Sequence, residues 1–151
     1  MKVIIQRVLE SSVSVENNIV GSIGRGFLVF LGVTSCDTKK DVEVIVEKIS
    51  KLRIFPDEQG KVNLSINDIK GEVLVVSQFT LYAQTKKGNR PSFVDASKPE
   101  LANELYEYFK VMCKEKFANV QCGVFGADMK VSIINDGPFT IIMEAIDGNI
   151  L

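Results

Sequence analysis

The 151-residue sequence predicts an α/β fold, a mixed β-sheet system with two helices on one face. Three observations carry that prediction. Two nearly continuous apolar runs, Phe27 to Val33 and Val73 to Val76, fit strands buried on both faces. Two other stretches, Thr38 to Leu52 and Ser97 to Phe117, repeat their apolar residues with the helical period. The order is strands, then strand–helix twice, then strands, with no repeat or linker between them. Residues 1–151 therefore read as a single domain, a length that supports one substantial core.

Each element has its own signal. Met1 to Glu10 holds Val3-Ile4-Ile5 and Val8-Leu9 and reads as a strand; Ser12 to Glu16 alternates and reads as another. Asn17-Asn18 supplies a hairpin turn to the returning strand Ile19 to Ile23, because asparagine tolerates left-handed backbone. Gly24-Arg25-Gly26 breaks the chain before the run at Phe27. In the first helix Val42, Ile45, Val46, Ile49 and Leu52 form the apolar stripe, Asp37 or Thr38 caps the start, and Asp41 adds negative charge to the first turn. Arg53-Ile54-Phe55 is a short strand ended by Pro56, and Val62 to Ile69 reads as loop, with Asn63 and Asn67 in turns. The strand from Glu72 to Ala83 changes character at Ser77-Gln78-Phe79-Thr80-Leu81. A basic loop follows from Thr85 to Ser97. Ser97 with Glu100 makes a capping box for the second helix, with Pro99 in its first turn and Leu101, Leu105, Tyr108, Phe109 and Met112 as its stripe. Val120 to Gly123 is a short strand, Gly123 to Asp128 a loop, and two last strands flank Gly137-Pro138.

Composition narrows the chemistry. There is no histidine, which removes imidazole general-base catalysis, Ser-His-Asp and Cys-His nucleophiles and histidine metal sites. The net charge of −1 rules out binding to nucleic acid by bulk charge, so any such contact needs a local basic patch. Cys36, Cys113 and Cys122 are odd in number and lack a C-x-x-C spacing, which argues against a disulfide framework or a thiolate metal site. They read as small apolar fillers. No metal or other cofactor is expected. No apolar run reaches spanning length and the N-terminus lacks a signal peptide's pattern, so no membrane association and a cytoplasmic location are expected.

Two stretches carry unusual chemistry. A buried strand that ends in Ser77-Gln78 and resumes with Thr80 holds polar groups that need partners. They satisfy strand-end hydrogen bonds or edge a pocket, where the backbone N–H groups of Phe79 and Thr80 could hold an oxyanion and Gln78 could orient a substrate. Thr80 as a nucleophile would need a base. The second stretch is Asn135-Asp136-Gly137-Pro138-Phe139-Thr140. Read locally it is a turn between strands, although Pro138 has no N–H for a ladder and an X-Pro bond can be cis. Lys86, Lys87 and Arg90 are either a solvated charge run or a phosphate contact. Arg7 either packs its stem at a strand edge or uses its fork of donors to hold a backbone carbonyl. Met129, at a strand start, is either core or pocket. Asp128, Asp136 and Glu144 have no spacing that marks a catalytic carboxylate pair.

Taken together, Ser77-Gln78-Phe79-Thr80-Leu81 and Asn135-Asp136-Gly137-Pro138-Phe139-Thr140 resemble the two signature motifs of the D-aminoacyl-tRNA deacylases. The resemblance extends to Ile5-Gln6-Arg7-Val8, Leu52-Arg53-Ile54-Phe55 and Arg90-Pro91-Ser92-Phe93. One departure is Phe139, where that family often has valine. The resemblance implies a three-layer mixed α/β fold and a homodimer that hydrolyses the ester of D-aminoacyl-tRNA, with glycyl groups mischarged on tRNA(Ala) also entering. It implies a cis Gly137-Pro138 pair lent by one subunit to the site of the other, where two carbonyls exclude L side chains by clash, a repulsive selection. Arg7 would brace that pair, Met129 would join it in binding substrate, and Ser77, Gln78, Phe79 and Thr80 would line the catalytic pocket. Lys86, Lys87 and Arg90 would meet the tRNA. The ribose 2′-hydroxyl of the substrate would help to activate water. Two alternatives stay open: a related deacylase with the pair trans that accepts L-aminoacyl-tRNA, and a tRNA-end binder without catalysis.

Overall fold

The computed structural model describes all residues, 1–151. Nine strands and two α-helices follow in the order β1 (Lys2–Val15), β2 (Asn18–Ile23), β3 (Gly26–Gly32), α1 (Lys39–Lys51), β4 (Arg53–Pro56), β5 (Val62–Ser65), β6 (Glu72–Ser77), α2 (Pro99–Lys116), β7 (Asn119–Cys122), β8 (Met129–Ile146) and β9 (Asn149–Ile150). A 3₁₀ turn, Phe79–Tyr82, follows β6. The main sheet runs β7-β6-β3-β1-β8-β9, with β2 on the far half of β1, and β4 pairs with β5 separately. It is mixed: β3, β6 and β7 are parallel, and β1 is antiparallel to β2, β3 and β8.

Alternation along the strands decides the layers. Phe27, Val29, Val73 and Val75 face the main core, which Ile45 and Ile49 of α1 and Leu105, Phe109 and Cys113 of α2 fill from one side. Leu28, Leu74 and Val76, one residue out of step, face a smaller core closed by Val8, Val13 and Ile23, where the sheet curls over itself. Helices, sheet and curled end make the three expected layers, and both helices lie on the expected face.

Several local expectations are corrected. The two strands foreseen before Asn17 are one, β1, kinked at Arg7 to Glu10, where alternation fails. The hairpin turn is Glu16-Asn17, both at positive φ (50° and 64°), one residue earlier than expected. Residues 62–65 are not loop but β5, antiparallel to β4, and Asn63 lies within it. The strand read as Glu72 to Ala83 stops at Ser77 and tightens into the 3₁₀ turn. The residue capping α2 is Lys98, without a side-chain bond, and Ser97 makes no capping box. Pro99 explains this: it is the first helical residue, and it keeps the preceding residue extended (Lys98 ψ 150°). Cys113 is buried as a filler should be, whereas Cys36 is exposed.

Candidate active site

A cavity of about 520 Å³ opens where β6 ends, and Ser77, Gln78 and Phe79 form one wall of it. The local cause is the end of pairing: Gln78 N–H still reaches Leu31 O of β3 (2.7 Å), and the chain then turns. The first bond of the 3₁₀ turn is Leu81 N–H to Gln78 O, so the N–H groups of Phe79 and Thr80 precede it. Thr80 is not among the residues lining the cavity; its Oγ1 is bonded by Gln78 Nε2, an amide donor that cannot serve it as a base.

The opposite wall is residues 125–129 with Tyr106 of α2, of which the sequence singles out only Asp128 and Met129. The Tyr106 hydroxyl lies 3.1 Å from Val75 O and 3.0 Å from Gly123 O, so it ties β6 to the start of that wall. Burial pushes its pKa above the usual phenol value, and it stays neutral. Met129 serves both readings, since it packs against the smaller core and also lines the cavity. Gly123 admits it: a Cβ there would meet Met129 Sδ at 2.5 Å. The titratable residues of the lining are Tyr106 and Asp128, and Asp128 is bonded by Lys130 Nζ at 2.7 Å. The other two carboxylates singled out also have cations, Asp136 with Arg7 (3.2 Å) and Glu144 with Lys2 (3.1 Å).

The second motif is a bulge rather than a turn between strands, because β8 is continuous through it. Gln6 pairs with Thr140 and Val8 with Asn135, so Arg7 alone stands opposite Asp136, Gly137, Pro138 and Phe139. The Gly137-Pro138 peptide is cis and Gly137 has φ 119°. Arg7 is 8% exposed and fills the space beneath. Its Nε donates to Asp136 O (3.2 Å), its Nη1 to Ile54 O of β4 (2.6 Å), and its guanidinium lies 4.9 Å from the Phe139 ring centre. Arg7 is not at a strand edge, since β1 lies between β3 and β8; its guanidinium does hold backbone carbonyls, the other reading. On the other side Gln6 Oε1 accepts from Asn135 Nδ2 (2.6 Å) and Thr140 Oγ1 (2.9 Å), a clasp across the neck of the bulge that the sequence did not reveal.

Gly137 and Pro138 are exposed, and none of Arg7, Gly137 and Pro138 lines the cavity. Within one chain the two motifs are therefore separate. Lys86, Lys87 and Arg90 are exposed on the loop beyond the 3₁₀ turn and are also outside the cavity lining.

The family model described as D-Tyr-tRNA(Tyr) deacylase matches residues 4–144. The chain is 55% identical over 145 residues to a D-aminoacyl-tRNA deacylase of Clostridium botulinum (strain Alaska E43 / Type E3), covering 96% of this chain and 97% of that one. Among solved structures, the c-Myc DNA unwinding element binding protein superposes with a TM-score of 0.91 at 42% identity, over 96% of this chain and 99% of that one. A probable eukaryotic D-amino acid tRNA deacylase superposes with a TM-score of 0.82 over 95% and 98%; at 18% identity this likeness shows the fold.

Proposed function

The chain belongs to the D-Tyr-tRNA(Tyr) deacylase family, and from that premise we propose that it frees tRNA from D-amino acids, and from glycine mischarged on tRNA(Ala), by hydrolysing the aminoacyl ester. It is a hydrolase acting on aminoacyl-tRNA ester bonds. One observation carries the reading of the site: Ser77, Gln78 and Phe79 wall a cavity in a chain without histidine. The cavity takes the terminal adenosine and its ester. Water attacks the ester carbonyl with help from the ribose 2′-hydroxyl, and the N–H groups of Phe79 and Thr80 meet the developing oxyanion. The 3′-oxygen leaves with a proton and the free amino acid departs.

Handedness is set by Gly137-Pro138, lent by the partner of a homodimer. Three features favour this. The bulge is exposed, it is braced from beneath by Arg7, and it lies outside its own chain's cavity. A second copy also has a surface to cover: Phe30, Ile4 and Ile142 stand side by side across β3, β1 and β8 on the face away from the helices, and Ile142 is 66% exposed. The protein acts in the cytoplasm as one domain, and no helix is long and apolar enough to cross a membrane.

The test is to incubate the protein with D- and L-aminoacyl-tRNA carrying the same amino acid and to follow ester loss. Loss of the D ester alone supports the proposal. Loss of the L ester, or binding of both without loss, overturns it.

A further inference from the structure

The loop after the 3₁₀ turn is a small hairpin with a defined base. Gln84 and Ser92 exchange backbone bonds of 2.7 and 2.9 Å. Below them Gln84 Nε2 bonds the Asp95 carboxylate, and Thr34 Oγ1 donates to Asp95 O at 2.6 Å. The tip, residues 85–91, carries Lys86, Lys87 and Arg90 and no acid. None of the three cations is in an ion pair within the chain. At the base, Phe93 is 38% exposed and meets the 56% exposed Phe79 edge to face, with centroids 5.1 Å apart. An aromatic ledge thus runs from the cavity rim to the foot of a basic hairpin.

Aromatic faces beside unpaired cations suit single-stranded nucleic acid: bases stack on the rings and phosphates meet the charges. A protein of net charge −1 needs such a patch to hold a polyanion. We propose that Phe93 is the stacking platform for the unpaired base that precedes the terminal adenosine of the tRNA 3′ end, with Lys86, Lys87 and Arg90 on the flanking phosphates. The inference rests on the reading above that the cavity takes the terminal nucleotide. Phe79 at the rim hands the strand on to Phe93, and the site tolerates any base because each offers a π face.

Binding of deacylated tRNA to the full-length enzyme tests this, with intact tRNA compared against the same tRNA stripped of its unpaired 3′ nucleotides. Phe93→Ala, and Phe93→Leu as a variant that keeps the bulk, should weaken binding of intact tRNA by about five- to a hundredfold. Neither should change binding of the stripped tRNA, and Phe93→Tyr should bind like the unaltered enzyme. Replacing Lys86, Lys87 and Arg90 together by Ala should lower the slope of log Kd against log salt by about 2, at roughly 0.7 per single-strand phosphate. Unchanged affinity in both Phe93→Ala and Phe93→Leu, or equal losses with stripped tRNA, would overturn the proposal. Deacylation of D-aminoacyl-tRNA by the unaltered enzyme is followed in parallel, and its absence counts against the deacylase reading alone.

Discussion

Arg7 shows how one residue serves packing and site together. It is buried, and its fork meets carbonyls on two separate elements, Asp136 O and Ile54 O. Lysine keeps the charge but not the fork. Arg7→Lys should lose about 1–3 kcal/mol of stability, the effect of unmaking charged hydrogen bonds in a buried place, and should hydrolyse the L ester measurably. Denaturant titration and paired D and L assays check both. Gly137→Ala should act on the same pair, because its Cβ would stand 2.7 Å from Arg7 Nη2 at φ 119°, where side chains are strained. At Thr80 the expectation is the opposite. Thr80 is not among the residues lining the cavity and its hydroxyl has an amide donor as partner, so Thr80→Ala should keep its single-turnover rate within about tenfold, less than the loss of a general base brings. A dead but folded Thr80→Ala enzyme would restore covalent catalysis. The sequence offered a backbone carbonyl as one of two roles for Arg7, but its partner at Ile54, 47 residues away, is set by tertiary packing alone.

At the scale of elements, the helices were legible because their apolar period is strong, and the bulge was not. Four residues opposite one is a fact about pairing between β1 and β8, and no local propensity encodes it. The strand β5 escaped for a related reason, since four residues with two apolar side chains give too short an alternation to read. The α1 start was foreseen and is stronger than foreseen. Burial of Asp41 would raise its pKa, but N–H groups of Gly148 and Thr38 and the Thr38 hydroxyl bond the carboxylate and together lower it. A carboxyl depressed in the folded state adds stability above its unfolded pKa of about 4 and loses it as pH falls through the folded value. Asp41→Asn should therefore cost about 1–2 kcal/mol at pH 7, as lost caps do, and the gap from the unaltered protein should close in acid. Denaturation midpoints from pH 7 to pH 2 measure it. The Gln6 clasp gives a prediction at the bulge: Gln6→Met keeps length and removes the acceptor of Asn135 and Thr140. The D rate should persist while the D-to-L rate ratio falls by about tenfold, the equivalent of one hydrogen bond.

At the scale of the molecule, the question is why a site would be divided. A clash-based screen must stay rigid while the cavity admits a large flexible substrate; on the proposed reading the screen is a braced bulge within β8, and the cavity it serves opens at the end of the neighbouring chain's β6. The apolar row of Phe30, Ile4 and Ile142 is the surface on which the proposed dimer would form. Ile142→Lys, on an exposed strand position, should yield a folded monomer in sedimentation that no longer deacylates D-aminoacyl-tRNA. The most direct measurement uses heterodimers purified through two tags. One chain carries Gln78→Ala and Phe79→Pro, which removes an N–H assigned to the oxyanion, with its bulge intact, and the other carries Gly137→Ala with its cavity intact. A bulge that serves the neighbouring cavity predicts that such heterodimers hydrolyse the D ester and reject the L ester, although the Gly137→Ala homodimer accepts both. Undiminished loss of the L ester per intact cavity would contradict the account.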